Sequence, residues 1–373
     1  MRKNSAIGYR PTWAEVDLKN LAYNFHQIKK RLAPKTKVMV CVKADAYGHG
    51  MIPVSRKLVS CGVDFLGVAS IDEGIKLREA GIRLPILILG AIMKEDALPL
   101  FKYHLTPTLF TDELALHLNK KAAAKKQKIK VHIKVDTGMG RIGVLYSQAF
   151  EFIKKVNSLE FIEIEGVSTH LSSADTDSAL TRGQISGFNR LILRLRREAI
   201  DIPLYHCANS IGLINYKESH FNLVRPGIVV YGLYPKAGLD ISLKAVLSLK
   251  TKAVYVKQVP QGYGISYGRT YVTKRRTNVV TLPIGYGDGY PRNLSNKADV
   301  LIRGKRFKIS GRVCMDQIMV DVGSLKVKPG EEVVLIGAQG SQRISAEELA
   351  LLSDTIPYEI LCSLGSRVPR VYF

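Results

Sequence analysis

The sequence is poor in cysteine and lacks any long apolar run. Its five cysteines are odd in number, and no two of them form a C-x-x-C pair. This usage argues against a disulfide framework and against a zinc site, so we expect reduced thiols, no metal and a cytoplasmic location. No apolar run reaches the length that spans a bilayer, so we expect no membrane-spanning segment.

Acidic residues are also scarce. They number 32 against 55 lysines and arginines, which gives a formal net charge of +23. Such a balance attracts polyanions non-specifically. However, no nucleic-acid motif accompanies the basic clusters, and the cluster KKAAAKKQKIK at 120–130 has the spacing of a solvated helix that begins near Asp112. We therefore expect a basic surface without a specific nucleic-acid partner.

The first 240 residues alternate apolar runs with turns and helix-period segments. Eight of these runs are predicted strands: 37–43, 65–69, 85–89, 106–110, 130–135, 165–170, 204–208 and 223–225. Eight strands that alternate with helices over about 230 residues predict an α/β fold, a (β/α)8 TIM barrel. An open doubly wound sheet is the alternative, but no G-x-G-x-x-G follows the first strand.

The pattern changes after residue 240. Short β-rich runs follow one another between Gly, Pro and Asp turns, with one short helix predicted near 346–353. This predicts a C-terminal all-β domain at 241–373, next to a barrel domain at 1–240. Residues 1–17 have no apolar stretch behind their basic residues, so we expect a lead-in that could pack on the β domain rather than a secretory signal.

Polar residues recur where the predicted strands end, which is where barrels bind ligands. Lys43 ends the buried first strand, and a partly desolvated lysine can attack a carbonyl and form a Schiff base. Arg141 lies on the glycine-rich loop VDTGMGRIG and can present its planar fork to a carboxylate. His170 ends the sixth strand. Taken alone, each of these residues has an ordinary structural explanation, and only their coincidence on one rim indicates a site.

The loops after strands seven and eight extend this rim. HCANS contributes Asn209 and Ser210, and VRPGIVVYG contributes Arg225, Gly227 and Ile228. In barrels these two loops frequently bind phosphate through backbone N–H groups. A Schiff-base lysine and a phosphate cradle on one rim fit pyridoxal 5′-phosphate (PLP).

The chain resembles the alanine racemases over essentially its whole length. The motifs that carry the resemblance come from both domains, in the family's order: VKADAYGHG (42–50), VDTGMGRIG (135–143), HCANS (206–210), VRPGIVVYG (224–232), ISYGRTY (265–271), PIGYGDGYPR (283–292), GRVCMDQ (311–317) and YEILCSLGSRVPR (358–370). The resemblance implies a PLP-dependent isomerase that interconverts L- and D-alanine by two-base proton transfer on the cofactor's Schiff base. It further implies a cytoplasmic homodimer that supplies D-alanine for peptidoglycan.

The resemblance also implies roles for individual residues. Lys43 would carry PLP and act as one base, and Tyr267 of the second subunit would act as the other. His170 would link Arg225, which faces the pyridine nitrogen, with Tyr267. The implied cofactor-binding set is Lys43, Tyr47, His170, Asn209, Ser210, Arg225, Gly227, Ile228 and Tyr358. The implied substrate-binding set is Arg141, Met315, Tyr286 and Asp316, and Lys134 matches a position that is carbamylated in many members.

Three other functions stay open at this point. A serine or broad-specificity racemase of the same family would share every motif. A decarboxylase of basic amino acids would pair the pyridine nitrogen with a carboxylate, whereas Arg225 disfavours protonation of that nitrogen. A non-catalytic PLP carrier would have no use for Tyr267 or Met315.

Overall fold

The structure is a computed structural model that describes residues 9–373. The first elements of the described residues are strand β1 (Thr12–Val16) and helix α1 (Leu18–Lys29). Helix α1 is amphipathic and buries Leu21, Phe25 and Ile28. The first eight residues of the predicted lead-in lie outside the described residues.

A ring of parallel strands follows, as the sequence predicts. The strands of this region are β2 (Lys37–Cys41), β3 (Phe65–Val68), β4 (Ile86–Ile88), β5 (Thr106–Leu109), β6 (Ile129–Asp136), the short β7 (Val144–Leu145), β8 (Ile162–Ser168), β9 (Leu204–His206) and β10 (Leu223–Val224). Without β7, which pairs only with β6, they run in the order β5-β4-β3-β2-β10-β9-β8-β6, and β5 pairs with β6 to close an eight-stranded barrel. The predicted barrel is therefore confirmed.

Helices cover the outside of the barrel. They are α3 (Met51–Ser60), α4 (Ile71–Glu79), α5 (Ala97–Lys102), α6 (Asp112–Ala124), α7 (Tyr146–Asn157), α8 (Ser178–Arg197) and α9 (Ser210–Asn215). The short segment before α3, labelled α2 (Lys43–Tyr47), is a left-handed turn at the rim of the barrel. Strands such as β3 are buried at every position because the barrel interior lies on one face and helices lie on the other. Helix α6 begins at Asp112, as the basic cluster predicts. None of the helices within 9–373 is both long and apolar enough to cross a membrane.

The C-terminal part of the chain is β-rich. Its strands are β11 (Leu247–Lys252), β12 (Tyr255–Val259), β13 (Gly264–Ile265), β14 (Tyr271–Val272), β15 (Thr277–Leu282), β16 (Asp299–Ile302), β17 (Lys305–Lys308), β18 (Ile318–Asp321), β19 (Glu332–Gln339), β20 (Gln342–Ile344) and β21 (Arg370–Tyr372). The largest sheet has the order β17-β16-β19-β11-β1-β21, with β20 on β19. Strand β1 therefore lies in this sheet, antiparallel to β11 and parallel to β21.

Two helices, α10 (Ala346–Leu352) and α11 (Pro357–Cys362), accompany these strands. The first is the short helix that the sequence predicts, whereas α11 is an addition because six residues are too few to display a helical period. Helix α11 packs against α2 of the barrel. Nearby, Arg370 donates to four backbone carbonyls, those of Gly48 (3.0 Å), Leu364 (2.5 Å), Gly365 (2.6 Å) and Val368 (2.6 Å). Helix α11 and Arg370 thus fasten the C-terminal segment to the rim of the barrel.

Candidate active site

A cavity of about 560 Å³ opens where the barrel strands end. Ten of the predicted site residues line it: Lys43, Tyr47, Lys134, Arg141, His170, Asn209, Ser210, Arg225, Gly227 and Tyr358. Ile228 follows Gly227 directly and is fully buried. The structure therefore gathers the barrel residues of the predicted site in one place, at the end of the barrel where ligands bind.

Lys43 opens a turn with an unusual backbone. Residues 44–47 all have φ between 52° and 54°. Left-handed backbone costs about 1–2 kcal/mol for each non-glycine residue, so the surrounding contacts must hold this turn in place. The turn brings the side chains of both Lys43 and Tyr47 to the cavity.

Two carboxylates hold the strained turn. Glu73 accepts hydrogen bonds from the N–H groups of Ala44 (2.7 Å) and Ala69 (2.6 Å), which joins the turn to the next strand end. Asp45 accepts from the N–H of Met51 (2.7 Å), at the start of α3. The position of Lys43 thus depends on contacts that its own strand does not supply.

Tyr47, Ser210, Gly227 and Tyr358 meet on one side of the cavity. The N–H of Gly227 donates to Ser210 Oγ (3.0 Å), and the rings of Tyr47 and Tyr358 lie 5.7 Å apart. A Cβ at position 227 would lie 2.7 Å from the Tyr47 hydroxyl oxygen, so a larger residue would displace that hydroxyl. Burial raises the pKa of both phenols, which therefore stay protonated and can donate to an anion.

Asn209 lies next to Ser210 and holds the start of α9 in place. Its Oδ1 accepts from the N–H of Gly212 (2.9 Å) and so caps the first turn of α9. The cap fixes Ser210, the first residue of that helix. Asn209 therefore positions a cavity residue in addition to lining the cavity itself.

Arg225 is buried at the end of β10, and its guanidinium donates hydrogen bonds to three acceptors. Its guanidinium donates to His206 Nδ1 (2.6 Å), to the carbonyl of Thr169 (2.6 Å) and to the carbonyl of Cys207 (3.1 Å). Arginine has no acceptor atom, so the Nδ1 of His206 must accept and its proton must lie on Nε2. These contacts fix the plane of the guanidinium inside the cavity.

The hydrogen bonds continue away from Arg225 through the barrel interior. His206 Nε2 donates to His132 Nδ1 (2.7 Å), and His132 Nε2 donates to Glu165 Oε2 (3.1 Å). Glu165 Oε1 accepts from Lys130 Nζ (2.9 Å). We name the set His206, His132 and Glu165 the histidine relay.

Electrostatics keep the histidine relay in one protonation state. Burial opposes ionisation of Glu165, yet hydrogen bonds from His132 and Lys130 lower its pKa to about 2. Burial lowers the pKa of His206 well below its usual value, and the charge of Arg225 lowers it further. Burial also lowers the pKa of His132, against the pull of Glu165. The relay therefore has two neutral imidazoles that lead from a carboxylate to the guanidinium.

The glycine-rich loop that carries Arg141 is fastened by Asp136. One carboxylate accepts from the N–H groups of Gly138 (2.9 Å), Met139 (2.8 Å) and Gly140 (2.9 Å). This contact folds the loop back on the end of β6, so that Arg141 lines the cavity.

Lys134 lies beneath this loop and is only 8% exposed. Burial lowers the pKa of its amine well below the usual range, and the charges of Arg225 and Arg141 lower it further. His170 responds in the same way, because burial and then the charge of Lys134 lower its pKa. The predicted link from Arg225 through His170 to Tyr267 stays a prediction. The histidine that contacts the guanidinium within the described chain is His206.

The charges of the cavity are strongly one-sided. Lys43, Lys134, Arg141 and Arg225 all line it, and none of its described lining residues is an aspartate or glutamate. Cations without a facing carboxylate attract an anion, and a planar carboxylate or a phosphate matches the donor geometry of arginine. The cavity is therefore suited to an anionic ligand.

The other four predicted site residues lie elsewhere, on an exposed face of the β domain. Tyr267 is 70% exposed, Met315 53% and Tyr286 42%, and Asp316 lies beside Met315. None of the four lines the barrel cavity. We name this set the outer patch. Exposed aromatic and sulfur-containing side chains that lie together often mark a surface that contacts another protein molecule.

Several residues of the site escaped the sequence prediction, namely Glu73, His132, Asp136, Glu165 and His206. One signal was available, because His132 and Glu165 lie within predicted barrel strands, which are buried on both faces. A polar side chain at the centre of a buried parallel strand needs a partner. The sequence does not reveal which partner it finds.

Comparison with known proteins agrees with this geometry in both domains. The family model "Alanine racemase, N-terminal domain" matches residues 16–235, and "Alanine racemase, C-terminal domain" matches residues 246–372. Together the two models cover nearly the whole chain.

Individual proteins match over the full length as well. An alanine racemase of Halothermothrix orenii is 53% identical, over 97% of each chain. The structure of an alanine racemase from Clostridium difficile 630 superposes with a TM-score of 0.93 at 38% identity, over 98% of this chain and 96% of that one. One from Bartonella henselae, which has covalently bound pyridoxal phosphate, gives 0.89 at 29% identity, over 98% and 100%. The chain belongs to the alanine racemase family, whose members interconvert L- and D-alanine.

Proposed function

We propose that this racemase holds PLP in the barrel cavity and completes each site with the outer patch of a second copy. Lys43 and Tyr267 act as the two bases. The observation that carries the proposal is the cavity itself, in which four basic side chains, one of them the nucleophilic Lys43, face no carboxylate among the described residues. An anionic cofactor that attaches to an amine and an anionic substrate satisfy that arrangement together.

The residues present fit PLP. The cavity volume of about 560 Å³ is in the usual range for small-molecule sites. Gly227 leaves room beside the Tyr47 hydroxyl, and Ser210 lies within hydrogen-bond distance of the same backbone. Tyr47, Ser210, Gly227, Ile228 and Tyr358 would hold the phosphate, with Asn209 as support for Ser210. Arg225 would face the pyridine nitrogen, with His170 nearby in the same cavity.

The two bases work on opposite faces of the substrate. When bound, PLP supplies a conjugated ring that stabilises negative charge at the substrate's Cα. Lys43 Nζ takes or returns the Cα proton on one face, and the phenol oxygen of Tyr267 does so on the other. Arg141, with Met315 of the second subunit, holds the substrate carboxylate. Tyr286 and Asp316 of that subunit line the narrow entrance, which favours a small side chain such as that of alanine.

Arg225 directs the reaction towards racemisation. Its guanidinium stays protonated and has no acceptor, so it cannot stabilise a proton on the pyridine nitrogen. The histidine relay holds it in place, because each imidazole presents a lone pair towards the arginine side and a proton towards Glu165. A ring nitrogen that stays unprotonated makes the ring a weaker electron sink than a pyridinium would be, which would disfavour decarboxylation and transamination.

We also propose that Lys134 is carbamylated. Its lowered pKa makes the neutral form of the amine easier to reach, and in that form the nitrogen can bond to the carbon of CO₂ and release a proton. The resulting carbamate would be a negative group among the charges of Arg141 and Arg225, and it would orient Arg141. Native mass spectrometry should detect the added CO₂, whereas a plain amine in an electron-density map would contradict it.

Two cellular statements complete the proposal. All five cysteines are free, in keeping with a cytoplasmic protein. The product D-alanine would serve peptidoglycan synthesis. The basic surface needs no nucleic-acid partner for this role, and it would help attract anionic metabolites to the cavity.

The purified protein tests cofactor, reaction and substrate together. We expect visible absorbance typical of PLP bound to an amine and interconversion of L- and D-alanine, with serine and lysine turned over far more slowly. Lys43→Ala should lose both the bound absorbance and the activity because the attachment point and one base are gone. Absorbance without racemisation would instead support a carrier, and faster turnover of serine would support the broader racemase.

Tyr267→Phe separates the two faces of the reaction. We expect the variant to retain PLP, because Tyr267 is not among the residues that would hold the cofactor. We also expect exchange of the Cα proton in deuterated water to fall mainly for one alanine enantiomer, since a single base is lost. Equal loss of exchange for both enantiomers would contradict one base on each face.

The relay can be tested through stability. Glu165 has a folded-state pKa of about 2, below its ordinary value, so its stabilisation is full above about pH 4.5 and falls as pH drops towards 2. Glu165→Gln should lower the free energy of unfolding by about 1–2 kcal/mol at neutral pH, because solvent screens part of the interaction, and by less at about pH 3.5. Urea denaturation at both pH values measures the difference. Glu163→Gln is the matched control, because Glu163 also faces Lys130 but does not bond to His132. A loss that does not depend on pH would contradict the assignment.

A further inference from the structure

Three residues far apart in sequence meet behind the outer patch. Arg10 precedes the first strand, Asp288 lies in the turn after β15, and Arg367 lies just before β21. The carboxylate of Asp288 is fully buried and is contacted by both arginines. Arg10 forms a two-pronged contact with it, in which Nη2 lies 2.8 Å from Oδ2. We name these three residues the arginine clamp.

Both arginines of the clamp also reach Asp316 in the outer patch. Nη2 of Arg10 donates to the Asp316 carbonyl (3.0 Å). Nη2 of Arg367 donates to the Asp316 carboxylate (2.7 Å). Each arginine therefore bridges the turn that holds Asp288 to the segment that holds Met315 and Asp316.

The turn and the segment are also joined directly. The N–H of Tyr286 donates to the carbonyl of Cys314 (3.0 Å), and the N–H of Gly287 donates to that of Met315 (2.9 Å). Asp288 secures the turn from within, because its Oδ2 accepts from the N–H of Gly285 (2.9 Å). A Cβ at 285 would lie 2.1 Å from the Cys314 carbonyl oxygen, so the approach requires glycine. Three of the four members of the outer patch thus share one support.

The fourth member, Tyr267, is fastened differently. Its neighbour Ser266 donates through Oγ to the carbonyl of Arg312 (2.7 Å). No member of the arginine clamp bonds to Ser266 or Tyr267 in the described chain. The clamp therefore affects the residues at the substrate's carboxylate and at the entrance more directly than the proposed base.

We propose that Arg10, Asp288 and Arg367 are positioning residues for the partner's active site. They hold Tyr286, Met315 and Asp316 in the geometry that admits alanine and binds its carboxylate. The inference rests on the proposed function, since it requires that the outer patch completes the cavity of a second copy. A segment that precedes the barrel in sequence would thereby control substrate binding in another subunit.

Arg10→Gln tests the proposal. We expect the KM for alanine to rise by between about 10- and 100-fold, with a smaller change in kcat, because small misplacements of substrate-positioning groups have effects of this size. The visible absorbance of bound cofactor should not change. Arg10→Lys keeps the charge but not the two-pronged contact, so its KM for alanine should lie between that of Arg10→Gln and that of the parent protein.

Two further variants distinguish positioning from plain stability. Arg303→Gln removes another two-pronged pair of the same domain, that of Arg303 with Glu331 (2.8 and 2.6 Å), which does not touch the outer patch. It should leave KM unchanged. Arg367→Gln alters the more exposed arm of the clamp and should raise KM even if Arg10→Gln fails to fold. An unchanged KM in Arg10→Gln would overturn the proposal. If only Arg367→Gln folds, an unchanged KM in that variant would do the same. An equal rise of KM in Arg303→Gln would also overturn it.

Mixed dimers show where the clamp acts. A dimer of an Arg10→Gln chain with a Lys43→Ala chain contains one cavity with Lys43, and that cavity faces an intact clamp. We expect the KM of this dimer to return to that of the parent protein. A KM that stays at the Arg10→Gln value would overturn the proposal.

A parallel dimer of Tyr267→Phe with Lys43→Ala tests the shared site itself. If the Tyr267→Phe dimer is inactive, the proposed shared active site fails. If that dimer is active but the KM of the Arg10→Gln dimer does not recover, only the role of the arginine clamp fails.

Discussion

The structure depends on a concentration of positive charge in one cavity. Lys43, Lys134, Arg141 and Arg225 line the same 560 Å³ space, and none of its described lining residues carries a negative charge. Like charges held together out of water are unfavourable unless counter-charges enter. The cavity is therefore suited to ligands that bring negative charge, which a phosphorylated cofactor, an amino-acid carboxylate and a carbamate at Lys134 would all do.

Hydrogen bonds around the cavity hold its basic side chains in place. The left-handed turn at 44–47 is held by carboxylates from α2 and α4, and the loop that presents Arg141 is folded by Asp136. The histidine relay and backbone carbonyls of neighbouring strand ends fix Arg225. Supporting residues thus hold the cavity's lysine and arginine side chains in place, so variants at such positions can change activity without removing a proposed base.

The sequence predicts the barrel and the residues on its rim well, because a parallel strand buried on both faces reads as an apolar run that stops at a polar residue. Lys43 and Arg225 are examples, and both line the cavity. The relay and the clamp could not be predicted in this way. Arg10 and Asp288 are 278 positions apart, and their contact arises only because β1 inserts between β11 and β21. Helix α11, which brings Tyr358 to the cavity, was missed because six residues show no period.

The central claim is that the barrel cavity is built to hold an anionic, phosphorylated cofactor. The most direct measurement is the affinity of cofactor-stripped protein for pyridoxal 5′-phosphate against pyridoxal, which has the same aldehyde but no phosphate. Because hydrogen bonds that involve a charged group contribute about 1.5–3 kcal/mol each, the account predicts that the phosphorylated form binds more tightly by a factor on the order of 100 or more. Equal affinity for the two compounds would contradict it.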